Sequence, residues 1–166
     1  MPNSQSIDAV DAQILLVLDD EPNATILRVA HVLGISRNTV HARLQRIERA
    51  GLLRGFSQRV APESLGYRLV AFLSLAVTQH QAAAATACLA AIPEVVEMHT
   101  TTGDADFLVK VVATDTADLY RITNAVLGIA GVMRSSTMVS LFQAMPNRTR
   151  ALLEQLAGGA PKAPGA

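Results

Sequence analysis

The sequence predicts an α+β protein in two parts. Three short helices and a turn-rich segment come first. Four strands and two helices follow, in the order β-α-β-β-α-β. Three observations carry this. Apolar residues recur at helical spacing three times between Asp8 and Gly51. After residue 68 the pattern changes to apolar runs of strand length. Strand, helix, strand then occurs twice in succession between Leu69 and Phe142.

Asp8 is placed to cap the first helix, which runs to about Leu18 with Val10, Ile14, Val17 and Leu18 as its apolar stripe. Pro22 and Asn23 end it. Thr25 caps a second, short helix with Ile26, Val29, Ala30 and Leu33 inward, and Gly34 suits the positive φ of its C-terminus. Ser36 caps a third helix, with Val40, Leu44 and Ile47 at i, i+4 and i+7, and Gly51 stops it. Leu52–Val60 is expected as a short hairpin turning at Gly55. Helix, Gly-containing turn, helix and hairpin together make a winged helix-turn-helix.

Pro62, Ser64 and Gly66 mark residues 61–68 as a linker. The second part opens with a strand over 69–78. An Ala-rich helix over 79–92, stopped by Pro93, follows, and then a strand over 95–102. Gly103-Asp104 is expected to make a tight turn into a third strand over 106–112. Asp115 and Asp118 open a helix carrying Leu119, Ile122, Val126 and Leu127, and Gly131 precedes a last strand over 134–142. This order is the ferredoxin-like, split βαβ pattern. The expected domains are therefore 1–60, a linker 61–68, 69–145, and a C-terminal segment 146–166. That segment holds a helix near 147–156 and a disordered tail from 157.

Composition narrows the function. Half of the 166 residues are hydrophobic, enough for real cores. No apolar run approaches the roughly 18 residues needed to span a bilayer, and the first eight residues lack a basic-then-apolar leader pattern. The expectation is a cytoplasmic protein. The single cysteine, Cys88, excludes an internal disulfide, makes a metal site improbable on number alone, and reads as a small buried residue. Net charge is zero, but its distribution is uneven. Residues 1–27 hold five acids and no base, whereas residues 28–60 hold seven arginines against Glu48 alone.

The basic stretch coincides with the third helix. With Val40, Leu44 and Ile47 inward, Arg37, Asn38, His41 and Gln45 face out, and these side chains can hydrogen-bond base edges. Ser36 and Thr39 begin the helix, whose free N–H groups suit a phosphate. Arg43 and Arg46 flank the outer face and are expected on phosphates, as are Arg54 and Arg59 near the hairpin. The plain alternative is a three-helix packing unit with a solvated basic face.

Several segments resemble one known family in order and spacing. Ile7-Asp8-x-x-Asp11-x-x-Ile14-Leu15 opens the series, and Gly34-Ile35-Ser36 leads through Val40, Arg43, Leu44, Ile47 and Glu48 to Gly51-Leu52-Leu53. Gly55-Phe56, Leu65-Gly66, Thr102-Gly103-Asp104-x-Asp106, Gly131-Val132 and Ser135-x-Thr137 follow. Together they resemble the Lrp/AsnC transcription regulators over roughly residues 7–145. The chain departs from that pattern at Asp20-Glu21-Pro22-Asn23, where the family has an Arg-containing segment. It departs again at Arg28, where the family often has Glu, and beyond Asn147.

The resemblance implies sequence-specific binding of double-stranded DNA, modulated by a small effector, typically an amino acid, with no cofactor and no catalysis. It implies an effector cleft at Thr101, Thr102, Gly103, Asp104 and Asp106 with Ser135, Ser136 and Thr137. There Gly103 would admit backbone N–H groups to a carboxylate, the hydroxyls would hold it, and Asp104 or Asp106 would take the ammonium. His99 reads as a surface strand residue near that loop, and His31 and His80 as exposed. Two helices cover only one face of a four-stranded sheet, yet the first strand is apolar on both sides, with Val70, Phe72 and Ala76 on the second. A second copy is the expected cover, and the resemblance implies dimers assembling into rings such as octamers, close to the nucleoid. Two other readings differ: an architectural protein with little sequence preference, and a decarboxylase on the same fold, for which only His99, Tyr120 and scattered aspartates are available.

Overall fold

A computed structural model describes residues 6–158; the polar residues 1–5 and the tail past Gly158 lie outside the described residues. The chain divides into two compact units, residues 1–59 with 145–166, and residues 60–144.

The first unit begins with α1 (Ala9–Asp20), α2 (Ile26–Leu33) and α3 (Arg37–Arg49). Each starts on a side-chain cap: Asp8, Thr25 and Ser36 accept the N–H of Asp11, Arg28 and Thr39 respectively. At Asp8 the bond is reciprocal, because the Asp11 carboxylate accepts the Asp8 N–H. Gly34, at φ 65°, turns the chain between α2 and α3 through the left-handed region. Ile14, Val29, Ala30 and Val40 form the core, with Leu44 and Leu18 packed on it. Burying each of the larger side chains contributes about 1.5–3 kcal/mol.

The hairpin expected over Leu52–Val60 is not formed. Phe56–Arg59 is a 3-10 turn, and no strand is present in this segment. The Arg59 guanidinium lies 4.8 Å from the centre of the Phe56 ring, a contact at i, i+3 that a turn permits and an extended strand does not. The wing position is therefore occupied by a turn.

The C-terminal helix α6 (Arg150–Leu156) packs against α1. Asp19 and Asp20 sit in the last turn of α1, where carbonyl dipoles disfavour negative charge and no base of that helix compensates. Arg150 supplies the cation, at 2.7 Å from each carboxylate and 2.9 Å from Glu154. Asp20 first, then Asp19 and Glu154, hold the Arg150 proton more firmly than usual. Beside this clasp, Leu15, Leu18, Leu44, Leu53 and Leu153 line a groove of about 600 Å³.

The second unit contains β1 (Leu69–Val77), α4 (Ala82–Ala90), β2 (Val95–Thr100), β3 (Phe107–Ala113), α5 (Thr116–Leu127) and β4 (Val132–Val139). The strands form one sheet in the order β2-β3-β1-β4, with every neighbouring pair antiparallel. Leu73 and Leu75 of β1, Val109 and Val111 of β3, Leu89 of α4 and Ile122 of α5 are fully buried in the core between sheet and helices. Leu127 stays exposed, one residue past the buried Val126. Cys88 is also exposed, contrary to the burial expected of it. The inward positions of α4 are Ala85 and Leu89, and Cys88 lies about 100° round the helix from Leu89.

Gly131 pins β4 to the end of β1. Its carbonyl accepts both the N–H and the hydroxyl of Thr78, at 2.9 and 3.1 Å. Its φ is 94°, and a Cβ there would stand 2.6 Å from Cβ of Gln81. Gly131→Ala is expected to destabilise the protein by about 1–3 kcal/mol, read as a lower urea midpoint; an unchanged midpoint would show that the turn relaxes freely.

Candidate nucleic-acid interface and ligand loop

On α3 the inward residues are Val40 and Ile47, fully buried, with Leu44 half-buried. The opposite side presents Asn38, Ala42, Gln45 and Arg49, at successive spacings of four, three and four residues. Arg37, Asn38, Thr39 and His41 are exposed, and Gln45 is half-buried. The Gln45 amide nitrogen is 3.0 Å from Nε2 of His41, and its oxygen accepts from Arg49 at 3.4 Å. His41, Gln45 and Arg49 thus form a polar row on the outer face. Arg49 was legible only as one more basic residue, although its place four residues after Gln45 puts it in this row. Ser36 is the N-cap, and its hydroxyl also bonds Oγ1 of Thr39 at 2.8 Å. Arg54 is exposed, and Arg59 lies over Phe56.

Arg43 and Arg46, expected on phosphates, turn toward α1. Arg43 Nη1 donates to Asp8 at 2.6 Å and to Asp11 at 3.0 Å. Arg46 donates to the other Asp11 oxygen, and its second nitrogen to the Ser6 carbonyl at 3.3 Å. The cause is burial: the Asp11 side chain is wholly inaccessible to solvent, and a carboxylate taken out of water needs cationic donors close by. The sequence shows Asp11 only as one of the five acids before residue 28 and as part of the opening motif. Its signal was its place in the apolar stripe, four residues after Ile7 and three before Ile14.

At the expected ligand loop, Thr101–Asp106 forms a six-residue connection between β2 and β3 rather than a two-residue turn at Gly103-Asp104. The Thr101 N–H donates to the Asp106 carbonyl at 2.9 Å, and its hydroxyl to the Ala105 carbonyl at 2.7 Å. These bonds close the loop internally. Asp106 was a candidate for an ammonium group, but its carboxylate accepts the Val77 N–H at 2.8 Å and so anchors the loop to β1. Thr102, Gly103 and Asp104 are exposed, and Arg134 of β4 donates to the Asp104 carbonyl at 3.1 Å.

Ser135, Ser136 and Thr137 do not share a surface. Successive strand residues alternate. Ser135 and Thr137 stand opposite Leu75 and Leu73 on the helix-covered side, whereas Ser136 stands opposite Ser74 on the open side. The Ser135 hydroxyl is buried without a hydrogen-bond partner. His99 is exposed and pairs with Glu97 at 2.8 Å. His31 and His80 are exposed. Among the described residues no His, Cys, Asp and Glu group could hold a metal ion, and no helix is long and apolar enough to cross a membrane.

Comparisons with known proteins follow the same division. Residues 7–54 match the family model for winged helix-turn-helix DNA-binding, and residues 70–149 match that for the Lrp/AsnC ligand binding domain. The HTH-type transcriptional regulator FL11 of Pyrococcus furiosus is 30% identical over 81% of this chain and 89% of its own length. The structure of E. coli AsnC superposes with a TM-score of 0.79 at 25% identity, over 87% of this chain and 99% of that one. A feast or famine regulatory protein from M. tuberculosis, complexed with L-methionine, gives a TM-score of 0.75 at 26% identity, over 87% and 98%.

The Asp8–Arg43 pair gives a pH dependence. The Arg43 guanidinium, and then the Asp11 N–H, hold the Asp8 carboxyl below its usual range. Its contribution to stability is complete above the ordinary carboxylate range, about 4, and is lost as pH falls through the lower folded value. Asp8→Asn keeps the cap and removes the charge. The melting temperature of this variant is expected to fall less than that of the parent between about pH 4 and pH 2.5; parallel curves would show that the pair has no such role.

Proposed function

Because the chain belongs to the Lrp/AsnC family of transcriptional regulators, we propose that it recognises a defined DNA site through the outer face of α3 and responds to an amino acid. The observation that carries the reading is the back-to-front division of α3. Its inner side is locked into the core by Val40 and Ile47 and onto α1 by Arg43 and Arg46. Its outer side carries Asn38, Gln45 and Arg49, with His41 beside them. A rigid helix with hydrogen-bonding side chains on one free face is what entry into a major groove requires. Arg37 and the N–H groups following Ser36 would take a phosphate, and Arg54 and Arg59 would meet the neighbouring backbone.

The acting unit is a homodimer. The open side of the sheet carries Val70, Phe72, Ala76, Leu108 and Met138 among Ser74, Lys110 and Ser136, a partly apolar surface that a second copy would cover. Two copies of α3 then read two half-sites. A footprint is expected to show a pseudo-palindrome with half-sites about one helical turn, or a multiple of it, apart. A lone half-site would reject the dimer, and protection without any defined site would favour the architectural reading. Asn38→Ala is expected to weaken binding to that site by about 1–3 kcal/mol and to leave a scrambled duplex nearly unaffected; equal losses on both would remove Asn38 from base reading.

The effector is an amino acid bound at the Thr101–Asp106 loop. Support comes from the exposed Thr102, Gly103 and Asp104, the buried and unpartnered Ser135 hydroxyl, and the L-methionine complex of the M. tuberculosis relative. Asp104 is the candidate for the ammonium group, since Asp106 is engaged by β1. Thermal unfolding against a panel of amino acids that includes methionine is expected to single out one ligand or a small related group. Stabilisation should reach about 2.7 kcal/mol at a hundredfold excess over Kd. Asp104→Ala with Thr102→Val is expected to abolish that shift. A full shift in the double variant would place the site elsewhere, and no shift with any amino acid would remove the amino-acid effector.

A further inference from the structure

Two of the seven arginines between residues 28 and 60, Arg43 and Arg46, are drawn onto a buried carboxylate of α1. We infer that Asp11 is a positioning residue for DNA selectivity: it holds Arg43 and Arg46 off the phosphate backbone, so that binding depends more on the residues that read bases. The inference rests on the reading of α3 as the recognition helix.

The geometry is specific. One Asp11 oxygen accepts from Arg43 at 3.0 Å; the other accepts from Arg46 and from the Asp8 N–H, the latter at 2.9 Å. Arg43 is held a second time by Asp8 and Arg46 a second time by the Ser6 carbonyl. Both arginines lie on one flank of α3, three residues apart, with Arg46 about 60° round the helix from Arg49 and Arg43 about 60° further toward the buried side. Their side chains are long enough to serve the backbone of a duplex lying against the outer row. Among the described residues Asp11 is the one buried charge that holds them there.

The consequence follows from how cations act on DNA. Each phosphate neutralised adds affinity on every sequence alike and steepens the fall of log K with log salt by about 0.9. Selectivity is the ratio of specific to non-specific binding. Two guanidinium groups withdrawn from phosphates lower the non-specific part and leave Asn38, His41, Gln45 and Arg49 to discriminate. The same contacts orient α3 through its rear flank, so loss of the carboxylate also loosens the reading face.

The test is fluorescence anisotropy of the full chain on its footprinted site and on a scrambled duplex, across a sodium chloride series, with thermal melts alongside. Asp11→Asn keeps the shape and removes the charge. It is expected to steepen the slope on the scrambled duplex by about one to two units and to lower the ratio of specific to non-specific affinity. A merely structural role would reduce the active fraction and leave both slope and ratio where they were, and that result would overturn the inference. Should Asp11→Asn fail to fold, Arg46→Gln in the otherwise native chain decides. An unchanged slope is expected; a slope shallower by about one unit would put Arg46 on a phosphate and overturn the inference. Native protein that binds no duplex at any salt would instead reject the recognition-helix reading on which this one rests.

Discussion

The DNA-binding unit is organised around a carboxylate with no access to solvent. Asp11 belongs to α1, yet both of its oxygens are used by α3 as well as by the helix cap. A hydrophobic contact is tolerant of small rotations, whereas a carboxylate shared by two guanidinium groups is not. Val40 and Ile47 bring α3 against the other helices, and Asp11 sets which way round it lies. Removing either side of such a buried arrangement strands the other, which makes the orientation hard to lose by degrees. The outer face of α3 is a consequence of what happens on its rear flank.

The second unit meets a different constraint. Two helices cannot cover both sides of a four-stranded sheet, so on the other side Val70, Phe72, Leu108 and Met138 are left without a helix over them, among Ser74, Lys110 and Ser136. Its loops are tied down where the strands end. Asp106 fastens the β2–β3 connection to β1, and Gly131 fastens the start of β4 to the same strand. Thr102, Gly103 and Asp104 are left exposed between these fastenings. Asp106, one of the two fastenings, looks in the sequence like a ligand group itself.

The C-terminal segment completes the first unit from the far end of the chain. An acidic helix terminus at Asp19 and Asp20 is electrostatically poor on its own, and Arg150 corrects it across 130 residues of sequence. The chain therefore leaves the DNA-binding unit, forms the sheet, and returns.

The sequence by itself determined the elements and their order. Three caps, Gly34, the apolar stripes and the change of period after residue 68 are local signals, each decided by neighbours within about one turn or one strand. The outward side of α3 was legible for the same reason, because helical spacing alone separates Val40, Leu44 and Ile47 from Asn38 and Gln45. Tertiary structure decided what the charged and polar side chains do. Arg43 and Arg46 read as phosphate contacts until a buried carboxylate on another helix claims them. Asp106 reads as a ligand group until the β1 backbone takes it. Ser135–Thr137 reads as one cluster until the strand register separates its faces. Where a hairpin was expected, the chain forms a 3-10 turn with Arg59 over Phe56. Backbone form follows from short-range sterics and hydrogen bonding, which the sequence carries at each position. The partner of a charge depends on which groups burial brings within 3 Å, and that is settled only when the chain has folded.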